Sequence, residues 1–295
     1  MMRFLIFSFM AFVACAPSGS SASAAANTAQ GVKRAIANAN AGAVVTIAEG
    51  RYDIGEIKIR RSLTIIGAGD VILYSSTPVE KGLFNPLPGV SLRVENITFK
   101  GARSPDLNGA GIRHDGEHLT VIGCIFDDNE NGILSTGAET GQIGVHGSTF
   151  VNNGHGDGYS HGIYVSSGAS LEVFAGKFSG TKIGHHIKSL ADRTDVRLSI
   201  LDDANGRSSY AVDVSKGGDV TISDNTIIQA VDGDNATIIN YDLSRGGEAT
   251  GLTITNNHIV NRHPNGVLLR NAAPMKPVIS GNKIVNEGRG KLKAP

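Results

Sequence analysis

Along the chain one short pattern of apolar and polar positions keeps returning. A small or polar residue precedes an aliphatic, then any residue, then a second aliphatic or a polar one. It reads AGIRH (110–114), NGILS (131–135), HGIYV (161–165), HHIKS (185–189), YAVDV (210–214) and NGVLL (265–269), with a weaker copy in ATIINYD (236–242). A second phrase follows most copies: LTVIGCIF (119–126), IGVHGSTF (143–150), LEVFAGKF (171–178), VTISDNTII (220–228), LTITNNHIV (252–260) and PVISGNKIV (277–285). The aligned aliphatics are Ile112, Ile133, Ile163, Ile187, Val212 and Val267, and the first five are 21, 30, 24 and 25 residues apart. Short β-branched runs at such a period, separated by Gly/Asn/Asp turns, predict stacked turns of parallel strand, a β-solenoid. No segment between the phrases carries a useful 3.6-residue periodicity, which excludes helical repeats. Propeller blades need about 40 residues each.

In the second phrase Asn225, Asn257 and Asn282 sit two residues before an aliphatic, where other copies have Cys124, Ser148 and Gly176. Stacked asparagines at a bend can pass amide hydrogen bonds from turn to turn. With these features the sequence resembles the right-handed, single-stranded parallel β-helix proteins of the pectate-lyase-like superfamily. The resemblance covers residues 27–288, with 289–295 as a tail. The N-terminal part agrees. Thr28–Ala41 reads as a short helix with Val32 and Ile36 on one face, followed by strand-like VVTIAEGRYDI and RSLTIIGAG. In the family such a helix caps the open end of the solenoid, and Met275–Pro295 is expected to close the other.

Lys+Arg and Asp+Glu are equal at 27 each, which argues against a nucleic-acid partner. The first residues, MMRFLIFSFMAFVA, are too short to span a bilayer and fit an export signal. Ala22-Ser23-Ala24 is a cleavage signal that would remove residues 1–24. The alternative is a lipoprotein box, FVAC, with a signal of residues 1–14 and a lipid anchor at Cys15. On either reading the protein is exported in a bacterium. After cleavage at 24, Cys124 is the remaining cysteine, which precludes an internal disulfide. No later apolar run is long enough to cross a membrane, and a monomer is expected.

In stacked parallel strands, equivalent residues form columns about 4.8 Å apart, and side chains alternate in and out. With the recurring aliphatics inward, their neighbours face solvent. The column before them holds Gly111, Gly132, Gly162, His186, Ala211 and Gly266, a track cleared of side chains except at His186. The column after holds Arg113, Leu134, Tyr164, Lys188 and Asp213. The strand entrance holds Ala110, Asn131, His161, His185, Tyr210 and Asn265. A long loop, GHGDGYSH (154–161), brings His155, Asp157 and Tyr159 within reach of the track. Four of the nine histidines therefore fall between residues 155 and 186. The bland alternatives are a structural ladder for His161, His185 and Tyr210, and a solvated face for His186 and Lys188. A structure with His186 or Lys188 turned into the core would overturn the site so drawn.

Export, a grooved sheet and a Lys/His/Tyr cluster point to a polysaccharide. The absence of tryptophan disfavours a neutral-sugar platform. An acidic glycan fits better, since Lys188, Arg113, Arg193 and Arg207 can pair with uronate carboxylates. The resemblance implies lyase, epimerase or hydrolase activity. Lyases and epimerases both begin by taking the C5 proton of a uronate, which requires a neutralised carboxylate and a nearby base. Lys188 or His186 can be that base, Tyr164 or Tyr210 the proton donor, and Asp213 the group that orients Lys188 or holds calcium, the one candidate cofactor. Asp127-Asp128 and Asp202-Asp203 read first as turn formers and second as calcium ligands. Polygalacturonases of this fold carry Asn-Thr-Asp, Asp-Asp, Gly-His-Gly and Arg-Ile-Lys motifs. This chain has GHG (154–156) and IKS (187–189) but no NTD, which leaves hydrolysis without its paired carboxylates. The expected function is thus a lyase acting by β-elimination on an acidic glycan. A C5-epimerase and a non-catalytic polysaccharide-binding module are the alternatives.

Overall fold

A computed structural model describes residues 25–287 and Leu292. The export signal, Cys15 and most of the C-terminal tail lie outside those residues. Every strand ladder is parallel, and the strands form a nine-stranded and an 18-stranded sheet wound into one solenoid. The first phrase of each repeat makes the nine-stranded sheet, with strands at Ile57–Ile59, Gly82–Pro86, Ala110–His114, Asn131–Ser135, Ile163–Val165, His185–Ser189, Tyr210–Val214, Thr237–Tyr241 and Val267–Asn271.

The second phrase is two short strands joined by a bend, as in Leu119–Ile122 and Ile125–Asp127. The bend residue takes positive φ in turn after turn, at Asn96, Gly123, Gly147, Ala175, Leu198, Asp224, Asn256 and Gly281. The residue after it carries the expected ladder. Asn225 N–H and Nδ2 both donate to Asn257 Oδ1 (3.0 Å each), and Asn257 does the same to Asn282 Oδ1 (2.9 Å each). Ser199 and Ser148 continue it with hydroxyls that accept from Gly176 and Cys124 N–H. Val44–Asp53 and Leu63–Tyr74 run unbroken through both halves, which unites them in one sheet.

The predicted helix spans Ala29–Asn38, capped by the Thr28 hydroxyl, which accepts from Gly31 N–H. Val32 and Ile36 are its buried residues and cover the first turn.

The interior is dominated by a phenylalanine column. Phe99, Phe126, Phe150 and Phe178 stack with ring centroids 4.7–5.2 Å apart and planes within 11°. Each fully buried ring contributes roughly 1.5–3 kcal/mol by leaving water. In register, Leu201, Ile227 and Ile259 continue the column.

This column corrects one expectation. The glycine track is inside the solenoid, not on its outer face. A methyl group on Gly111 would stand 2.7 Å from Phe126 Cδ1, and one on Gly132 2.7 Å from Phe150 Cδ1 and 2.4 Å from the Gly162 carbonyl. The glycines make room for aromatic rings. Where the ring gives way to Leu201 a side chain fits, and it is His186, fully buried beside Phe178 at 6.0 Å between ring centres. The physical reason is a corner at the strand entrance. His185 pairs with Tyr210 and Ile187 with Val212, while residue 186 stays out of the ladder. Both 186 and 187 then turn inward, and strict alternation fails.

A second correction concerns register. Ile112, Ile133, Ile163, Ile187 and Val212 do form one column, but it continues through Ile239 to Leu269. Val267 pairs with Thr237, two residues early, so Gly266 and Asn265 leave their assigned columns too.

Candidate functional site

Tyr164, Lys188 and Asp213 are neighbours in register on the outer face of the nine-stranded sheet, as expected. The Lys188 ammonium is 3.2 Å from Asp213 Oδ2 and 5.5 Å from the centre of the Tyr164 ring. Asp213 is 2% exposed, yet each of its oxygens is occupied. Oδ1 accepts from Ser215 Oγ (2.7 Å) and Asn240 Nδ2 (2.7 Å), and Oδ2 faces Lys188 and His185 Nε2 (3.5 Å). Asn240 Nδ2 also donates to Asp242 Oδ2 (3.1 Å), and Arg270 reaches back to Asn240 Oδ1 (3.4 Å) and Asp242 (3.6 Å). The carboxylate is therefore fixed from several sides and holds Lys188 in place.

The strand entrance carries a ladder. His161 N–H donates to Asn131 Oδ1 (2.8 Å), His185 N–H to His161 Nδ1 (3.0 Å), and Tyr210 N–H to His185 Nδ1 (3.2 Å). The two imidazoles stack at 4.7 Å and 9°, and Tyr164 meets His161 edge-on at 5.3 Å. Since each Nδ1 accepts a backbone N–H, each ring carries its proton on Nε2. Burial pushes His185 down to about 4, with Lys188 adding to the effect and Asp213 opposing it. Burial, His185 and Lys188 hold His161 well below its ordinary value. Neither ring has a lone pair available to take a proton, so the histidines act as neutral Nε2–H donors and as struts. Burial raises Tyr164, Arg245 pulls it back and Asp213 pushes it up, so it stays a phenol with a proton to give. Arg245 lies on the turn after the Thr237–Tyr241 strand, its backbone N–H donating to the Ser215 carbonyl (2.9 Å), near enough for its charge to act on Tyr164.

The remaining predicted residues divide. His186 is excluded from contact with any ligand on this face, which overturns the site as drawn from the sequence, with His186 beside Lys188; the stack of Tyr164, Lys188 and Asp213 is what remains of it. Its Nδ1 is bonded to Thr181 Oγ1 (2.7 Å) inside the solenoid, and burial pushes it down to about 3. Arg113 lies in the Lys188 column, beyond Leu134, with Nε on Asp115 Oδ1 (3.0 Å). Arg193 is not at the site. It begins a strand of the other sheet and is held with Arg197 on Asp195, at 2.6 and 2.8 Å. Arg207 sits in a corner loop, where its Nε donates to the Asp232 carbonyl (3.5 Å). The 154–161 loop borders the strand entrance. There His155 Nδ1 is 3.8 Å from Glu130, Asp157 accepts from Tyr159 N–H, and the Tyr159 side chain projects into solvent, 79% exposed.

Calcium does not fit this donor set. The two carboxylates at the site, Asp213 and Asp242, already face Lys188, His185 and Arg270, and a dication would have to displace those groups. In each aspartate pair the first residue ends a strand, Ile125–Asp127 or Ile200–Asp202, and the second begins the turn. Asp128 sits at φ 54° with Arg103 and Lys182 on its carboxylate, and Asp203 accepts from Ser208 N–H. Among the described residues no three of His, Cys, Asp and Glu come together in a metal-holding group.

Ser215, Asn240, Asp242, Arg245 and Arg270 were missed in the sequence. Asn240 and Arg270 become visible once the weak copy at 236–242 is placed in register, because both then fall in the Lys188 column.

The sequence matches no protein-family model and no curated protein. Among solved structures, an alginate lyase from Paenibacillus sp. str. FPU-7 is similar, with a TM-score of 0.69 over 92% of this chain and 98% of that one, at 17% identity. ORF18 of Geobacillus virus E2 aligns at a TM-score of 0.45 and 13% identity over 87% of this chain and 57% of that one. The lyase likeness establishes a shared parallel β-helix fold.

Proposed function

We propose that the protein is a polysaccharide lyase that cleaves an acidic, uronate-containing glycan by β-elimination. The observation that carries this reading is the outward triad, with Lys188 held by Asp213 at 3.2 Å and facing Tyr164. Arg245, whose charge acts on Tyr164, is the group assigned to neutralise the uronate carboxylate, which makes the C5 proton removable. The ammonium of Lys188 first gives a proton to solvent, and the amine so formed, still held by Asp213, takes the C5 proton. The C5 electron pair forms the C4–C5 double bond, the C4–O bond breaks, and the leaving oxygen receives the Tyr164 phenolic proton. His161, with its fixed Nε2–H, is suited to hold a sugar hydroxyl, whereas the Nε2–H of His185 is turned to Asp213 Oδ2 (3.5 Å). The alginate lyase activity of a protein with this fold supports the reaction class, and a polymeric substrate suits an exported protein.

The test is to incubate the protein with a panel of acidic polysaccharides and follow the ultraviolet absorbance of unsaturated uronate. The expected signal falls by about 10²- to 10⁴-fold in Lys188→Ala and in Tyr164→Phe. It survives in His186→Leu, whose side chain is in the core. Binding without product, indifferent to both site substitutions, refutes the reading. Inversion at C5 without chain cleavage, seen by NMR, would move the assignment to an epimerase.

A further inference from the structure

We infer that the solenoid core holds one bound water molecule, which bridges His186 Nε2 to Gln229 Oε1 where the phenylalanine column ends. The bridge accounts for a histidine in an otherwise apolar interior, turned away from any ligand outside.

Two internal devices stop at this point. One is the ring column. Glycine faces phenylalanine in three successive turns, at Gly111 and Phe126, Gly132 and Phe150, and Gly162 and Phe178. The next turn sets His186 with Leu201, and the one after it sets Ala211 with Ile227. There a methyl and a branched butyl group share the space that hydrogen and a benzyl group fill elsewhere. It is the smallest pairing of the series, and it leaves room in an otherwise close-packed interior.

The other device is a second asparagine ladder, at the corner that follows the second phrase. Asn129 N–H and Nδ2 donate to Asn153 Oδ1 (3.1 and 3.2 Å), and Asn153 Nδ2 donates to the Phe126 carbonyl (2.8 Å). Thr181 stands on the next rung, two residues past Ser179 as Asn153 is past Val151. Its hydroxyl is bonded to His186 Nδ1 (2.7 Å) instead of continuing the ladder.

Two buried polar atoms are left facing the room so made. Neither His186 Nε2 nor Gln229 Oε1 has a protein partner, although the residues are only 0% and 6% exposed. The Gln229 amide is not free to turn over, because its Nε2 donates to the Asn235 and Ala236 carbonyls (3.1 and 2.8 Å). Both residues line one cavity of about 10 Å³, together with Asp203, Ala211 and Ile227. A volume of that order admits a single water oxygen. Left dry, each of the two atoms would carry the full penalty of an unmade buried hydrogen bond.

The partners define the ligand. It must donate to Gln229 Oε1, which only accepts, and it must meet Nε2 in either role. If the Thr181 hydroxyl donates to Nδ1, then Nε2–H donates to the ligand. If Nδ1–H donates to Thr181, the ligand gives its second proton to Nε2. Water serves both cases, whereas an ammonium ion, with no lone pair, serves only the second. Asp203, whose oxygens accept from Ser208 N–H at 2.9 and 3.0 Å, adds further lone pairs to the wall. The water thus ties the turn of His186 to the next turn at the place where both ladders lapse.

The test is a high-resolution crystal structure of the full-length protein, joined to a double-mutant cycle. The structure should show one water oxygen at about 2.7–3.2 Å from both His186 Nε2 and Gln229 Oε1. For the cycle, His186→Leu, Gln229→Leu and the double variant are unfolded in urea at pH 7.5, where the ring is neutral folded or unfolded. Each single substitution orphans the other end of the bridge. The loss in folding equilibrium constant for the double variant should therefore fall short of the product of the single losses on the order of tenfold. The bonds given up at Thr181 and at the Asn235 and Ala236 carbonyls cancel in the cycle. Gln229→Met repeats the test should Gln229→Leu disturb the fold, as read by circular dichroism. A dry cavity, a larger molecule in it, or direct contact between the two side chains overturns the site whatever the cycle gives. Single losses that multiply without coupling overturn the bridge as well.

Discussion

Acid should unfold this protein at an unusually mild pH, because four histidines are buried in neutral form. His114 has neither ring nitrogen bonded and is packed between Gly116 and Gly137; burial pushes it down to about 4. His185 and His186 lie at about 4 and about 3, and His161 well below its ordinary value, each chiefly through burial. Above pH 6.5 the folded and unfolded chains hold these rings alike, and stability is complete. As pH falls from there toward 4, the unfolded chain binds protons that the folded chain refuses, so stability drops. At pH 5 a ring with a folded value near 4 has cost about 2 kcal/mol, and the three with known values about 6 kcal/mol together. Asp203 works the other way. Burial pushes its carboxyl up to about 6, so the folded state protonates first and recovers about 1 kcal/mol at pH 5. The carboxylates held low, such as Asp128 and Asp242, titrate below this window.

The net loss of about 5 kcal/mol is comparable with the whole stability of many domains. Urea unfolding followed by circular dichroism at pH 7.5 and 5.0 measures it, and His114→Leu should shrink the difference by about 2 kcal/mol. Unfolding free energies that agree at the two pH values within about 1 kcal/mol would refute the reasoning. So would a His114→Leu protein with an undiminished drop.

Three further outcomes follow from the packing. Asn257→Ala removes the acceptor of two Asn225 donors and the donor to the Ile222 carbonyl, stranding buried groups, and should cost about 3 kcal/mol in chemical denaturation. Gly132→Ala forces a methyl group against Phe150 and the Gly162 carbonyl and should lower stability by about 2–3 kcal/mol, with a matching fall in Tm. Cys124, whose thiol burial pushes up to about 12, should resist thiol reagents in the native state and react only at the rate of opening, as mass spectrometry would show.

What the sequence could and could not reveal turns on the period of two in a strand. Repeat spacing and the aliphatic rhythm were enough to find the solenoid, the capping helix, the asparagine ladder and the Tyr164–Lys188–Asp213 stack. The errors came where that rhythm is blind. A register slip of two residues preserves which side chains face inward, so NGV at 265–267 mimicked NGI at 131–133 and hid Arg270. A corner breaks the alternation altogether, so His186 and Ile187 both face the core although a straight strand would part them. The clue to the second error was present in the second phrase. Phenylalanine closes three of the four copies whose first phrase carries glycine before the aliphatic, at Phe126, Phe150 and Phe178, the fourth being the misregistered copy at Gly266, and Leu201 replaces the ring in the turn of His186. Volume traded between the two halves of one turn therefore reports an inward position that polarity alone assigns outward. By that criterion a histidine in a glycine column is a core residue whenever the aromatic opposite it has been lost, and the side chains left to bind a ligand are those, like Lys188 and Tyr164, whose column never compensates.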